Sequence, residues 1–205
     1  FDKYIKSMLL HHGLPKRQEV NLIKSVLYTI EKQERKLSGK NILIDKITPY
    51  LNTSEHVLNQ LNTYYPKSKL VFLVRDGRDV LTSGVFHWFN KQSPNIVLSD
   101  FEKERIAAFK NNQEANLDRF FLDQEIEDWG RHWVQAMQII EKAKQTHDVK
   151  IVHYEDMLKD AKKELNDIFS FLAIKKKDYI IEECLEAGSF KNMSRGRDQG
   201  QVKQD

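Results

Sequence analysis

Residues 69–89 read KLVFLVRDGRDVLTSGVFHWF, and no other stretch constrains the fold as much. The apolar run 70–74 stops abruptly at a charged turn, Arg75, Asp76, Gly77, Arg78 and Asp79, which leads into an amphipathic segment carrying Ser83. A short run with no polar alternation predicts a strand buried on both faces, and such strands belong to parallel sheets covered by helices. Sheets of that kind bind ligands just beyond the carboxyl ends of their strands. An arginine there, followed by a helix that presents a hydroxyl, suits a phosphate. Taken by itself, the turn fits a solvated surface loop equally well.

The rest of the composition is compatible with an enzyme-sized α/β domain. A chain of 205 residues with 40% hydrophobic content is long enough for one domain, spanning 1–205, with a sizeable core. Its net charge of +3 is mildly basic, which fits an anionic ligand. It contains no dense Lys/Arg block of the kind that would call for nucleic acid, and Lys175, Lys176 and Lys177 read as a solvated loop. One cysteine, Cys184, excludes an intramolecular disulfide framework and reads as a small core residue of a helix. No apolar stretch approaches the roughly 18 residues of a membrane span, and no signal peptide is visible. The expectation is a soluble, cytoplasmic protein, with no pattern that specifies an oligomeric state.

Helical periodicity runs over residues 1–37, with a break at His12, Gly13, Leu14 and Pro15 and an end at Ser38, Gly39 and Lys40. Residues 41–45 (NILID) read as a buried strand stopped at Pro49, and 52–64 as a helix with Ser54 as its cap. With the strand at 69–74, these make a βαβ unit of a parallel sheet. Helices are expected at 78–89, 101–111, 122–146, 160–172 and 178–187, and a third strand at 149–153 (VKIVH). A polar, glycine-containing loop is expected from Ser189 onward.

Three strand ends therefore carry polar groups: Asp45, Lys46 and Thr48; Arg75 with Ser83; and Tyr154, Glu155 and Asp156. In a parallel sheet they converge on one edge, the usual ligand crevice. Ser83 lies eight residues after Arg75, about two helical turns into the next segment.

These residues carry a resemblance. VRDGRDVLTS resembles the signature with which sulfotransferases hold the 3′-phosphate of their donor, 3′-phosphoadenosine 5′-phosphosulfate, and the family's Arg and Ser fall on Arg75 and Ser83. DKITP is similar to the strand-end segment of the sulfuryl-transfer site. The segment 149–174, VKIVHYEDMLKDAKKELNDIFSFLAI, resembles the one whose tyrosine packs on the adenine, here Tyr154. Trp129 and Trp133 sit where the family tends to have tryptophans.

The resemblance implies a three-layer α/β/α fold with a central parallel sheet, like that of P-loop NTPases. It also implies a donor nucleotide as co-substrate, a small-molecule or glycan acceptor, and no metal. Lys46 falls where a lysine neutralises charge on the leaving phosphate, with Asp45 beside it. The family's N-terminal loop for the 5′-phosphosulfate and its C-terminal Arg-Lys-Gly loop are not expected within 1–205. SRGRDQG, 194–200, resembles the lead-in to the latter, and brings Arg195 and Arg197 toward the phosphate.

Thr48 stands where many members carry a histidine base, so Asp45, His87, His132 and a carboxylate outside the chain remain open as the base. The main reading is a sulfotransferase acting on a hydroxyl or amine. The alternatives are a non-catalytic nucleotide-binding module of the same fold and a related kinase. The kinase would need a Gly-Lys-Ser/Thr loop that this chain lacks.

Overall fold

The computed structural model describes residues 15–47, 55–91, 97–113, 117–175, 177–189 and 192. Among these, the sheet is formed by β1 (Lys69–Val74) and β2 (Asp148–His153), paired in parallel from Lys69 opposite Asp148 to Val74 opposite His153. The strands have equal length and no offset, so they end together. The next residues, Arg75 and Tyr154, emerge side by side, on strands about 4.8 Å apart.

A hairpin turn cannot join parallel strands, so the chain between them must cross over. It does so through α3 (Gly77–Asn90), α4 (Asp100–Lys110) and α5 (Asp123–Ala143). α3 starts at Asp76, whose carboxylate accepts from the Arg78 amide at 2.8 Å. α4 starts with a capping box, in which Ser99 and Glu102 satisfy each other's backbone amides. Before the sheet lie α1 (Lys16–Ser38), ended by left-handed Gly39 at φ 65°, and α2 (Glu55–Tyr64), which packs on α1 and α5. After it come α6 (Tyr154–Lys159), α7 (Ala161–Phe171) and α8 (Asp178–Ala187). No helix among the described residues is long and apolar enough to cross a membrane.

One buried cluster joins α3 to α4, with Val85, Phe89 and Ile106 at its centre and Phe86, Phe109 and Phe120 around them. Arg105 is fully buried beside it. Its Nε donates to the Phe120 carbonyl at 2.6 Å and its Nη2 to Glu125 Oε2 at 2.5 Å. The rings of Phe89, Phe101 and Phe120 lie 5.2, 5.9 and 5.7 Å from its guanidinium carbon. A buried charge is tolerable only with such partners.

The helices, and the two strands that pair, match the pattern read from the sequence, and the mixture of helices with a parallel sheet is the expected α/β class. Two expectations are corrected. Residues 41–45 are not a strand; 41–47 runs outside the sheet, with Ile42, Leu43 and Ile44 exposed. An apolar run signals a tendency to be buried, but a strand also needs a neighbour for its backbone groups, and β1 pairs with β2. β1 is not buried on both faces among the described residues, since Val71 and Leu73 are exposed. The helix expected at 160–172 is α7, and the structure adds a short helix before it, α6, which is too short to show periodicity. Ser54, the helical piece before residue 15 and most of the loop after Ser189 lie outside the described residues.

Candidate functional site

The shared strand ends build the site. Arg75 leaves β1 with its guanidinium 4.8 Å from the centre of the Tyr154 ring, which leaves β2. This contact follows from the register, because residues just beyond paired strands are neighbours. A cation over an aromatic face is held there electrostatically. The Nε and Nη2 of Arg75 donate to one oxygen of Asp79, at 3.2 and 3.1 Å. Nη1 takes part in neither bond, so Asp79 holds one edge of the guanidinium and fixes its plane.

Arg75 closes one end of a cleft of about 450 Å³. One stripe of α3 forms the rest: Asp79, Thr82, Ser83, Phe86, His87 and Asn90. Positions three and four apart share a helix face, so the spacing itself places Ser83 one turn beyond Asp79, about 6 Å along the axis. The Thr82 hydroxyl donates to the Arg78 carbonyl at 2.8 Å and is thereby turned into its own helix. Phe86 is tied back into the core by Phe109, with ring centres 4.6 Å apart. The cleft thus joins a half-exposed arginine, a hydroxyl and an imidazole over an aromatic floor. An anion entering it meets Arg75 with Asp79 already in place as counter-ion.

Two helices brace this end of the sheet. The Trp133 indole donates from α5 to the Arg75 carbonyl at 3.0 Å. The Asp76 amide donates to Glu155 Oε1 at 3.0 Å, and that bond is the first cause holding the Glu155 carboxyl below its ordinary range. Asp76 is held down to about 2, chiefly by the side-chain hydrogen bond from Arg78. Glycines allow the close approach of α5. A Cβ at Gly77 would meet Trp133 at 3.2 Å, and one at Gly84 would meet Trp129 at 2.4 Å.

The structure therefore brings Arg75, Ser83 and Tyr154 to one place. It does not bring Lys46 or Asp45 into the lining of the cleft; both are exposed on 41–47. Asp45 acts instead on Tyr65, whose phenol is pushed up to about 12 by burial first, then by Glu31, with Asp45 adding its charge. His87 lines the cleft one turn beyond Ser83, whereas His132 is exposed on α5 away from the lining. Thr48, Arg195 and Arg197 lie outside the described residues.

Sequence reasoning missed the bonds made by Asp79, Trp133 and Glu155. Only that of Asp79 had a local signal, its four-residue spacing from Arg75.

Similar sequences are found among known proteins. The family model described as "Sulfotransferase domain" matches residues 22–204. The chain is 27% identical over 161 residues to the mouse protein named Sulfotransferase 2A6, which covers 76% of the chain and 50% of that protein. It is 27% identical over 158 residues to the rat Sulfotransferase 2A1, with the same coverage of 76% and 50%. The chain thus matches half the length of these curated relatives. No solved structure matches it significantly.

Proposed function

The chain belongs to the sulfotransferase family, and from that premise we propose that it is a transferase that takes 3′-phosphoadenosine 5′-phosphosulfate as donor. In this reading, residues 1–205 form one three-layer α/β/α domain. The sulfuryl group passes to a hydroxyl or amine of a small-molecule or glycan acceptor.

One observation carries the reading: Arg75 and Ser83 share a cleft at the joint end of two parallel strands, with the Tyr154 ring against the guanidinium. A phosphate suits this arrangement. It accepts from a guanidinium edge and from a hydroxyl at once, and charge-assisted bonds of that kind are the strong ones. Arg75 already has its Nε/Nη2 edge on Asp79, so the anion takes the remaining edge, from Nη1. Tyr154 offers an aromatic surface for the base.

Sulfuryl transfer resembles phosphoryl transfer in that positioning and electrostatic stabilisation do most of the work. The donor supplies the group that moves, and this chain supplies the grip. Lys46 is assigned to the charge that develops on the leaving phosphate. That assignment rests on the resemblance of DKITP to the family's strand-end segment. Asp45 and His87 remain as bases for the acceptor's proton, with His87 the one that lines the cleft. Arg195 and Arg197 are assigned to the same phosphate through the likeness of SRGRDQG.

The test is transfer of labelled sulfate from the donor to a panel of alcohols, phenols and glycans. Lys46→Ala should lower kcat more than it raises the donor KM. A change in KM alone would move Lys46 to ground-state binding. Binding of the donor with no transfer to any acceptor would favour the nucleotide-binding module.

A further inference from the structure

The peptide unit between Arg75 and Asp76 lies in a gap between two regular elements. The β1–β2 ladder ends at Val74 opposite His153, and α3 begins at Gly77. The Arg75 carbonyl and the Asp76 amide are thus the groups that neither ladder nor helix accommodates, and backbone groups of this kind need partners. Two side chains distant in sequence supply them. The Trp133 indole N–H, 58 residues away, donates to the carbonyl at 3.0 Å. The Glu155 carboxylate, 79 residues away, accepts from the amide at 3.0 Å. Opposite ends of one planar unit are therefore held by two different helices. Gly77 leaves room for the arrangement, since a Cβ there would crowd the indole at 3.2 Å.

Fixing this plane fixes ψ of Arg75 and φ of Asp76. Those angles set where the chain leaves β1 and, with it, the direction in which the Arg75 side chain departs. From this geometry we propose that Trp133 and Glu155 are positioning residues that preorganise Arg75 for its anion without touching the ligand. The inference rests on the reading of Arg75 as the donor's phosphate grip. A guanidinium already aimed loses less freedom on binding, so the clamp acts on affinity as well as on folding.

Calorimetric titration with 3′-phosphoadenosine 5′-phosphate separates the possibilities. Glu155 is exposed, so its variants should fold, and unchanged thermal melting checks this. Glu155→Ala should weaken binding about fivefold, the scale of one lost hydrogen bond, and Glu155→Gln, which keeps an acceptor, should return to within about twofold of the parent. Trp133→Phe, which keeps an aromatic ring but no donor, should also lose about fivefold. A purely structural role predicts lowered thermal melting with parent-like affinity in the variants that still fold. Parent-like affinity in Glu155→Ala and Trp133→Phe, alongside weakened binding in Arg75→Ala, would overturn the clamp and leave the phosphate grip standing. Equal losses in Glu155→Ala and Glu155→Gln would also overturn it. Unchanged affinity in Arg75→Ala would remove the grip itself, and the clamp with it.

Discussion

Two stretches of this chain place charged residues directly after an apolar run, and they end in different states. Residues 70–74 lead to Arg75 and Asp76, and residues 42–44 lead to Asp45 and Lys46. The first run has a parallel partner along its whole length, and the residues that follow it are bonded to α3, α5 and α6. The second lies outside the sheet with Ile42, Leu43 and Ile44 exposed. Apolar composition favours burial of side chains, whereas a fixed direction for a functional group comes from a satisfied backbone. Arg75 has both kinds of support, and Lys46 has neither among the described residues.

The largest effect should come from the support behind the held end. Arg105→Met removes a fully buried guanidinium from Glu125 and from the Phe120 carbonyl, in the cluster that backs Phe86 and Phe89. Breaking a buried pair costs about 3–5 kcal/mol, and urea unfolding would measure it. An unchanged midpoint would detach that cluster from the stability of α3.

Next is the contact between α3 and α5. Gly84→Ala drives a methyl to 2.4 Å from Trp129 and should cost about 1–3 kcal/mol in the same experiment. Gly130→Ala, with nothing within 4 Å of the added methyl, serves as its control and should be neutral or slightly stabilising. Smallest is the loose stretch. Ile44, 78% exposed, should tolerate Ile44→Ser within about 0.5 kcal/mol. A loss as large as that of Gly84→Ala would mean that 41–47 is packed and would erase the contrast between the two stretches.

What the sequence disclosed follows the same division between local and distant causes. The longer helices were legible from apolar spacing and from breaks such as that at Gly39, β1 from its uninterrupted apolar run, and β2 from its short apolar stretch. Arg75 and Ser83 were paired through the resemblance of VRDGRDVLTS to the sulfotransferase signature, since their eight-residue spacing alone also fits a serine on the helix surface. Tyr154 came with the end of the neighbouring strand. The bonds of Trp133 and Glu155 were not legible, since nothing local marks a partner 58 or 79 residues away. The strand expected at 41–45 failed because its signal was hydrophobicity alone, and hydrophobicity does not name the strand it would pair with.

The central claim is that Arg75 grips the donor's phosphate, and the direct measurement is the affinity of 3′-phosphoadenosine 5′-phosphate for the parent chain and for Arg75→Ala. Loss of a hydrogen bond to a charged group predicts binding weaker by about 1.5–3 kcal/mol in the variant. Equal affinity in the two proteins would contradict the account.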